Sequence, residues 1–99
     1  MNELNNNQKK FLRKIAHDIR PMVTIGQKGL SLNVLAELDS TLKHHELIKV
    51  KIYSDAKDEK QQIINKILET SGSELIQAIG GILTIYKKSN DNPKIILPK

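Results

Sequence analysis

Between residues 8 and 19 apolar side chains recur at helical spacing. At about 100° per residue, Phe11, Leu12, Ile15, Ala16 and Ile19 fall in one sector of a helical wheel. Lys9, Lys10, Arg13, Lys14 and His17 fall in another, and the two sets do not mix. Asn5 predicts the N-cap, with Gln8 three residues on as in a capping box and Leu4 as a hydrophobic staple. The helix is expected to run to about Ile19, because Pro21 disfavours helical geometry at Arg20. Met22-Val23-Thr24-Ile25 then reads as a short strand, and Gly26-Gln27-Lys28-Gly29 follows at once. A second helix is predicted from Ser31, its N-cap, with Val34, Leu35, Leu38 and Leu42 at core spacing.

From Leu47 to Tyr53 the pattern alternates. Ile48, Val50 and Ile52 share one side, and Lys49, Lys51 and Tyr53 the other, which predicts a strand with one buried face. Asp55 and Asp58 open a third helix, Ile63, Ile64, Ile67 and Leu68 supply its apolar stripe, and Gly72 suits its end. Leu75–Ile79 and Ile82–Tyr86 flank Gly80-Gly81, the pattern of a tight hairpin, and Ile95, Ile96 and Leu97 suit a last docked extended piece. The order is αβαβαββ. Strand–helix–strand connections imply parallel pairing with right-handed crossovers, and the hairpin adds an antiparallel pair. The expected fold is a single α/β (α+β) domain over residues 1–99, a mixed four-stranded sheet with helices packed on it, with residues 1–5 and 88–99 as candidate flexible ends.

Composition changes this picture in two ways. Ninety-nine residues with 38% hydrophobic side chains suffice for one core and leave little apolar material over, which favours a monomer. The lack of cysteine removes disulfides, thiolate metal sites and cysteine nucleophiles. No apolar run is long enough to cross a bilayer and the polar start lacks a secretory h-region, so a soluble cytoplasmic protein without membrane contact is expected.

Charge is more informative by segment than in total. The formal net charge is +5. Residues 1–30 carry six cations against two acids, residues 31–74 six against eight, and residues 75–99 four against one. The excess lies at the two ends, and if these meet in space the domain has one basic side. An ordinary solvated helix face mixes signs for i,i+4 pairing, whereas the face from Lys9 to His17 carries no acid. Such self-repulsion suits a polyanionic partner.

The glycine pair stands between a strand and a helix N-terminus. Glycines let a backbone approach phosphate closely, exposed N–H groups and the helix dipole favour an anion, and Lys28 adds a full charge. The alternative is a connecting loop with two glycines of positive φ. Neither a dinucleotide fingerprint nor a P-loop is present.

Enzymatic constellations are weak. His44-His45-Glu46 is the one cluster that suggests metal or acid–base chemistry, but adjacent helical histidines diverge by about 100° and suit a helix C-terminus better than a zinc site. His17 belongs with the cationic face, and Ser54 and Asp55 read as caps. No catalytic residue, metal or cofactor is expected, and no small-molecule substrate. Phe11, Tyr53 and Tyr86 are too few and too scattered for a sheet that stacks successive bases, so phosphate clamping fits better.

Lys14-Ile15-Ala16-His17, Arg20-Pro21, Ile25-Gly26-Gln27-Lys28-Gly29-Leu30, His45-Glu46-Leu47-Ile48-Lys49-Val50-Lys51, Ile79-Gly80 and Tyr86 together resemble the bacterial YhbY proteins, the stand-alone form of the CRM (chloroplast RNA splicing and ribosome maturation) domain. The resemblance runs from about residue 6 to the tail. It implies an RNA-binding αβαβαββ domain similar to the C-terminal domain of bacterial initiation factor three. It further implies association with ribosomal RNA of large-subunit precursors, with Gly26 to Gly29 as the RNA contact. The expected RNA-binding residues are Lys9, Lys10, Arg13, Lys14, Arg20, Gly26, Gln27, Lys28 and Gly29, joined by Lys49 and Lys51 if no helix covers their side of the strand. An interaction module for an acidic protein is the rival, and a small nucleotide-utilising enzyme a third reading.

Overall fold

The computed structural model describes residues 4–26, 29–54, 56–90 and 93–98; the expectations for Gln27, Lys28 and Asp55 lie outside the described residues. Helix α1 spans Asn6–Ala16. Its capping box forms as the sequence predicts: the Gln8 N–H donates to Asn5 Oδ1 (2.8 Å) and the Asn5 N–H to Gln8 Oε1 (3.0 Å), satisfying two otherwise orphaned donors. The helix stops at Ala16, earlier than Ile19. The Ile19 N–H donates to Ala16 O (3.0 Å) in a tighter turn, which still lays Ile19 against the same apolar cluster.

The remaining elements are β1 (Val23–Ile25), α2 (Leu32–His45), β2 (Leu47–Ile52), α3 (Lys57–Ser71), β3 (Glu74–Ile79) and β4 (Ile82–Tyr86). Ser31 Oγ caps α2, accepting from the Val34 N–H (3.2 Å). Helix α3 begins differently from expectation. Its N-cap is Ala56, which has no side-chain oxygen to offer, and Asp58 sits within the first turn, where it meets the helix dipole favourably. Gly72 ends α3 with φ +69°, and Lys87 Nζ donates to Ser71 O (2.8 Å) at the same terminus.

The sheet order is β1-β2-β4-β3, mixed as expected. β1 runs parallel to β2, and β4 is antiparallel to both β2 and β3. One expectation is corrected: β2 and β3, joined through α3, point the same way but do not pair, because β4 lies between them. Burial explains the order. In β4, Leu83, Thr84, Ile85 and Tyr86 are all buried, so both faces of this strand need cover and a central place. β3 buries Ile76 and leaves most of its length to the edge. Gly80 (φ +56°) and Gly81 (φ +83°) form the tight β3–β4 turn.

Two apolar clusters lie on the two sides of the sheet. Leu38 and Leu42 of α2 and Ile64 and Ile67 of α3 pack on Val23, Ile25, Ile48, Val50, Ile52, Leu83 and Ile85. Leu12 and Ala16 of α1 pack on Leu47, Ile76 and Tyr86, with Ile95 and Leu97 of the tail beside them. The single buried face expected for β2 is therefore incomplete: Leu47, at its start, is buried on the α1 side as well.

Candidate functional site

The connection from β1 to α2 turns sharply at the glycine pair. The Gly29 N–H donates to Gly26 O (3.0 Å), closing a four-residue turn immediately before the Ser31 cap. The two glycines differ in kind. Gly29 has φ +75°, which an L-residue adopts with strain, whereas Gly26 does not lie in the left-handed region. A Cβ at either position would meet no atom within 4 Å. Thus neither conformation nor packing requires glycine at position 26, and the space beside Gly26 and Gly29 is open.

Lys10, Arg13, Lys14, His17 and Arg20 are exposed; Lys9, Lys49 and Lys51 are half-buried. Among the described residues the one ion pair joins Lys43 to Asp39 (3.2 Å), so none of these cations is paired with a described acid. The apolar stripe of α1 seats on Leu47 and Tyr86, at one end of β2. The glycine turn lies at the other end, since Ile25 pairs with Ile52. Lys49 and Lys51 lie along the strand between them and on the α1 side, with Lys51 opposite Thr24, two residues before Gly26. Helix α1 does share their face, yet it leaves both lysines partly open. The helix cations and the turn are therefore linked along β2 rather than placed side by side.

The two charge-rich ends of the chain do meet. Gln8 Nε2 donates to Pro98 O (3.0 Å), and Ile95 and Leu97 pack against the α1 cluster. The residue that holds this arrangement is Glu46, which sequence reasoning set aside with His44 and His45 as a helix end. Glu46 has no exposed surface. Its carboxylate accepts from the N–H groups of Ser89 (2.7 Å), Ile95 (2.9 Å) and Lys94. Burial by itself pushes this carboxyl up; the three backbone donors and the nearby Lys88 charge outweigh it and hold the group below its ordinary value of 4.5. Tyr86 shifts the other way, raised by burial and then by the Glu46 charge. The available signal was an acid between a helix end and an apolar strand, but its partners lie 43 to 49 residues away in sequence.

His44 and His45 are exposed, and among the described residues no group of three or more His, Cys, Asp or Glu gathers as a metal site would require. Among the same residues no helix is long and apolar enough to cross a membrane.

Comparison with known proteins gives a consistent outcome. A protein named "RNA-binding protein" from Haemophilus influenzae is 43% identical over 99 residues, covering 100% of this chain and 99% of that one. The Bacillus subtilis protein named "Probable RNA-binding protein YqeI" is 34% identical, covering 96% of this chain and 99% of its own. The solution structure of a Staphylococcus aureus protein proposed to bind RNA superposes with a TM-score of 0.81 at 38% identity, over 97% of this chain and 100% of that one. A family model of the CRS1 / YhbY (CRM) domain matches residues 4–87, and the αβαβαββ order and mixed sheet are those the sequence resemblance implied. This chain belongs to the CRS1 / YhbY (CRM) domain family.

Proposed function

We propose that this protein is a non-catalytic, monomeric RNA-binding domain that assists ribosome assembly by contacting ribosomal RNA of large-subunit precursors. The names of its relatives support RNA binding. One observation supports this surface: cations of α1 and β2 that pair with no described acid lead to a glycine pair with open space beside it, whose first glycine has no structural need to be one. Lys9, Lys10, Arg13, Lys14, Arg20, Lys49 and Lys51 attract the phosphates, and Gly26 and Gly29 let the backbone come close, with Gln27 and Lys28 between them.

The test is binding to structured ribosomal RNA fragments across a salt series, with two glycine variants compared. Gly26→Ala is expected to melt within about 0.5 kcal/mol of wild type while losing roughly five-fold or more in RNA affinity, the added methyl standing where phosphate approaches. Gly29→Ala is expected to lose about 1 kcal/mol of stability, since its φ disfavours a side chain. Unchanged affinity for Gly26→Ala removes the turn from the interface. The assembly role predicts that ribonuclease releases the protein from large-subunit precursor particles in cell extracts, and retention after digestion contradicts it.

A further inference from the structure

Of the three Phe and Tyr residues, Tyr53 alone is exposed: 50% of its surface is open, against 3% for Tyr86, while Phe11 is half-buried in the α1 cluster. Its main-chain N–H donates to Ile25 O (2.9 Å), which fixes Tyr53 beside the residue that precedes Gly26. Lys51 Nζ lies 4.9 Å from its ring centroid. Ring and ammonium together border a cleft of about 550 Å³ also lined by Ile52, Ser54, Ala56, Glu59 and Gly80. That volume falls in the range of small-ligand clefts, roughly 300–1,000 Å³.

The lining chemistry separates the candidate occupants. A phosphate in the cleft meets Lys51 but also the Glu59 carboxylate, which offsets part of the lysine's attraction. A neutral base carries no such penalty and gains a π surface. Glu59 is acceptor-only, and guanine is the base that presents two adjacent N–H donors on one edge, whereas adenine and cytosine set an acceptor beside their amino group. We propose that this cleft takes one unpaired nucleobase of the bound RNA, guanine in preference. The base stacks on Tyr53, Glu59 accepts from its edge, and Lys51 meets the adjoining phosphate outside the cleft. The proposal rests on the RNA-binding reading above and adds a base subsite to its phosphate track.

The experiment titrates the full chain with labelled RNA hairpins carrying guanine, adenine, cytosine or uracil at one unpaired loop position, and with the fully paired duplex. Tyr53→Ala is expected to weaken binding to the guanine loop about tenfold and to leave the duplex unchanged, while Tyr53→Phe, which keeps the ring, binds as wild type. Tyrosine fluorescence is quenched by the unpaired RNA in wild type, and that quenching disappears in Tyr53→Phe although affinity does not. Glu59→Gln reduces a roughly tenfold preference for guanine over adenine toward parity, an outcome read as a ratio because loss of an acid strengthens all RNA binding. Wild-type affinity in Tyr53→Ala, or equal losses for loop and duplex, overturns the base subsite and leaves the RNA-binding reading intact. No binding of any RNA by the wild-type chain overturns that reading and the subsite with it.

Discussion

Replacing Glu46 with alanine is expected to cost about 3 kcal/mol or more of stability and to release Ser89 and residues 94–97 from the body of the domain. Three backbone N–H groups, of Ser89, Lys94 and Ile95, lose their acceptor at once. Each donor left buried without a partner costs about 1–3 kcal/mol, and water entering the released tail recovers part of that. For a domain of this size the melting temperature should fall by roughly 12–20 °C. Glu46 also holds φ +63°, ψ −44°, a conformation that L-residues rarely adopt, and its own N–H and C=O are tied to Leu42 O and the Lys87 N–H (both 2.8 Å). Glu46→Gly relieves that strain but lacks the carboxylate, so it should lie about 1 kcal/mol above the alanine variant and still well below wild type. The pH dependence has a definite sign. A carboxyl whose value is lower in the folded state contributes stability that is whole above its ordinary value of 4.5 and drains away as pH falls through the lower folded value. Wild type should therefore lose tail protection on acidification below about pH 4.5, and Glu46→Gln should lack that part of the dependence. Thermal melts and amide hydrogen exchange at Ser89, Lys94 and Ile95 report both effects. A Glu46→Ala protein within about 1 kcal/mol of wild type would show that the tail docks through Ile95, Leu97 and the Gln8–Pro98 hydrogen bond without needing the carboxylate.

What the sequence made legible follows physical range. The α1 capping box, its separated faces and the Gly80-Gly81 turn depend on residues a few positions apart, and each stands where periodicity and local chemistry put it. The position of β4 was not so readable. Connectivity makes β2 and β3 natural neighbours, while the nearly unbroken run Ile82-Leu83-Thr84-Ile85-Tyr86 asks for cover on both sides and takes the place between them. In the candidate site, the cationic face of α1 was plain from its lack of acids, but its relation to the glycine turn was not. Both attach to β2 at opposite ends, so it is the strand register that makes Lys49 and Lys51 the link. Glu46 lay furthest from view, because a carboxylate's partners are backbone donors and backbone donors leave no mark in the sequence.

Replacing Lys10, Arg13 and Lys14 together with glutamine is expected to weaken RNA binding roughly a hundredfold at 0.15 M salt, from the loss of three phosphate contacts, and to flatten the logarithmic salt slope by about 2 to 3. Stability should barely change, because two opposed effects nearly cancel. Lys9 with Arg13 and Lys10 with Lys14 are like-charged i,i+4 pairs in α1, and relieving each gains about 0.2–0.5 kcal/mol. Arg13 and Lys14 also stand in the last turn, where a cation meets the negative end of the helix dipole, and losing each costs about 0.3–1 kcal/mol when exposed. A net change under about 1 kcal/mol leaves α1 in place, so a loss of affinity belongs to the surface and not to unfolding. The control is Lys43 and Lys66 to glutamine, which removes charge from exposed positions on α2 and α3, the helices that pack on the other side of the sheet. At 0.15 M salt the Debye length is about 8 Å, so these distant charges should contribute little to a polyanion bound on the α1 side. Gly26→Ala provides the third arm: it removes no charge, so affinity falls while the salt slope stays as in wild type. Equal losses per charge removed from the two sets of cations would make the attraction a property of net charge alone, and the α1 face would lose its claim to the RNA.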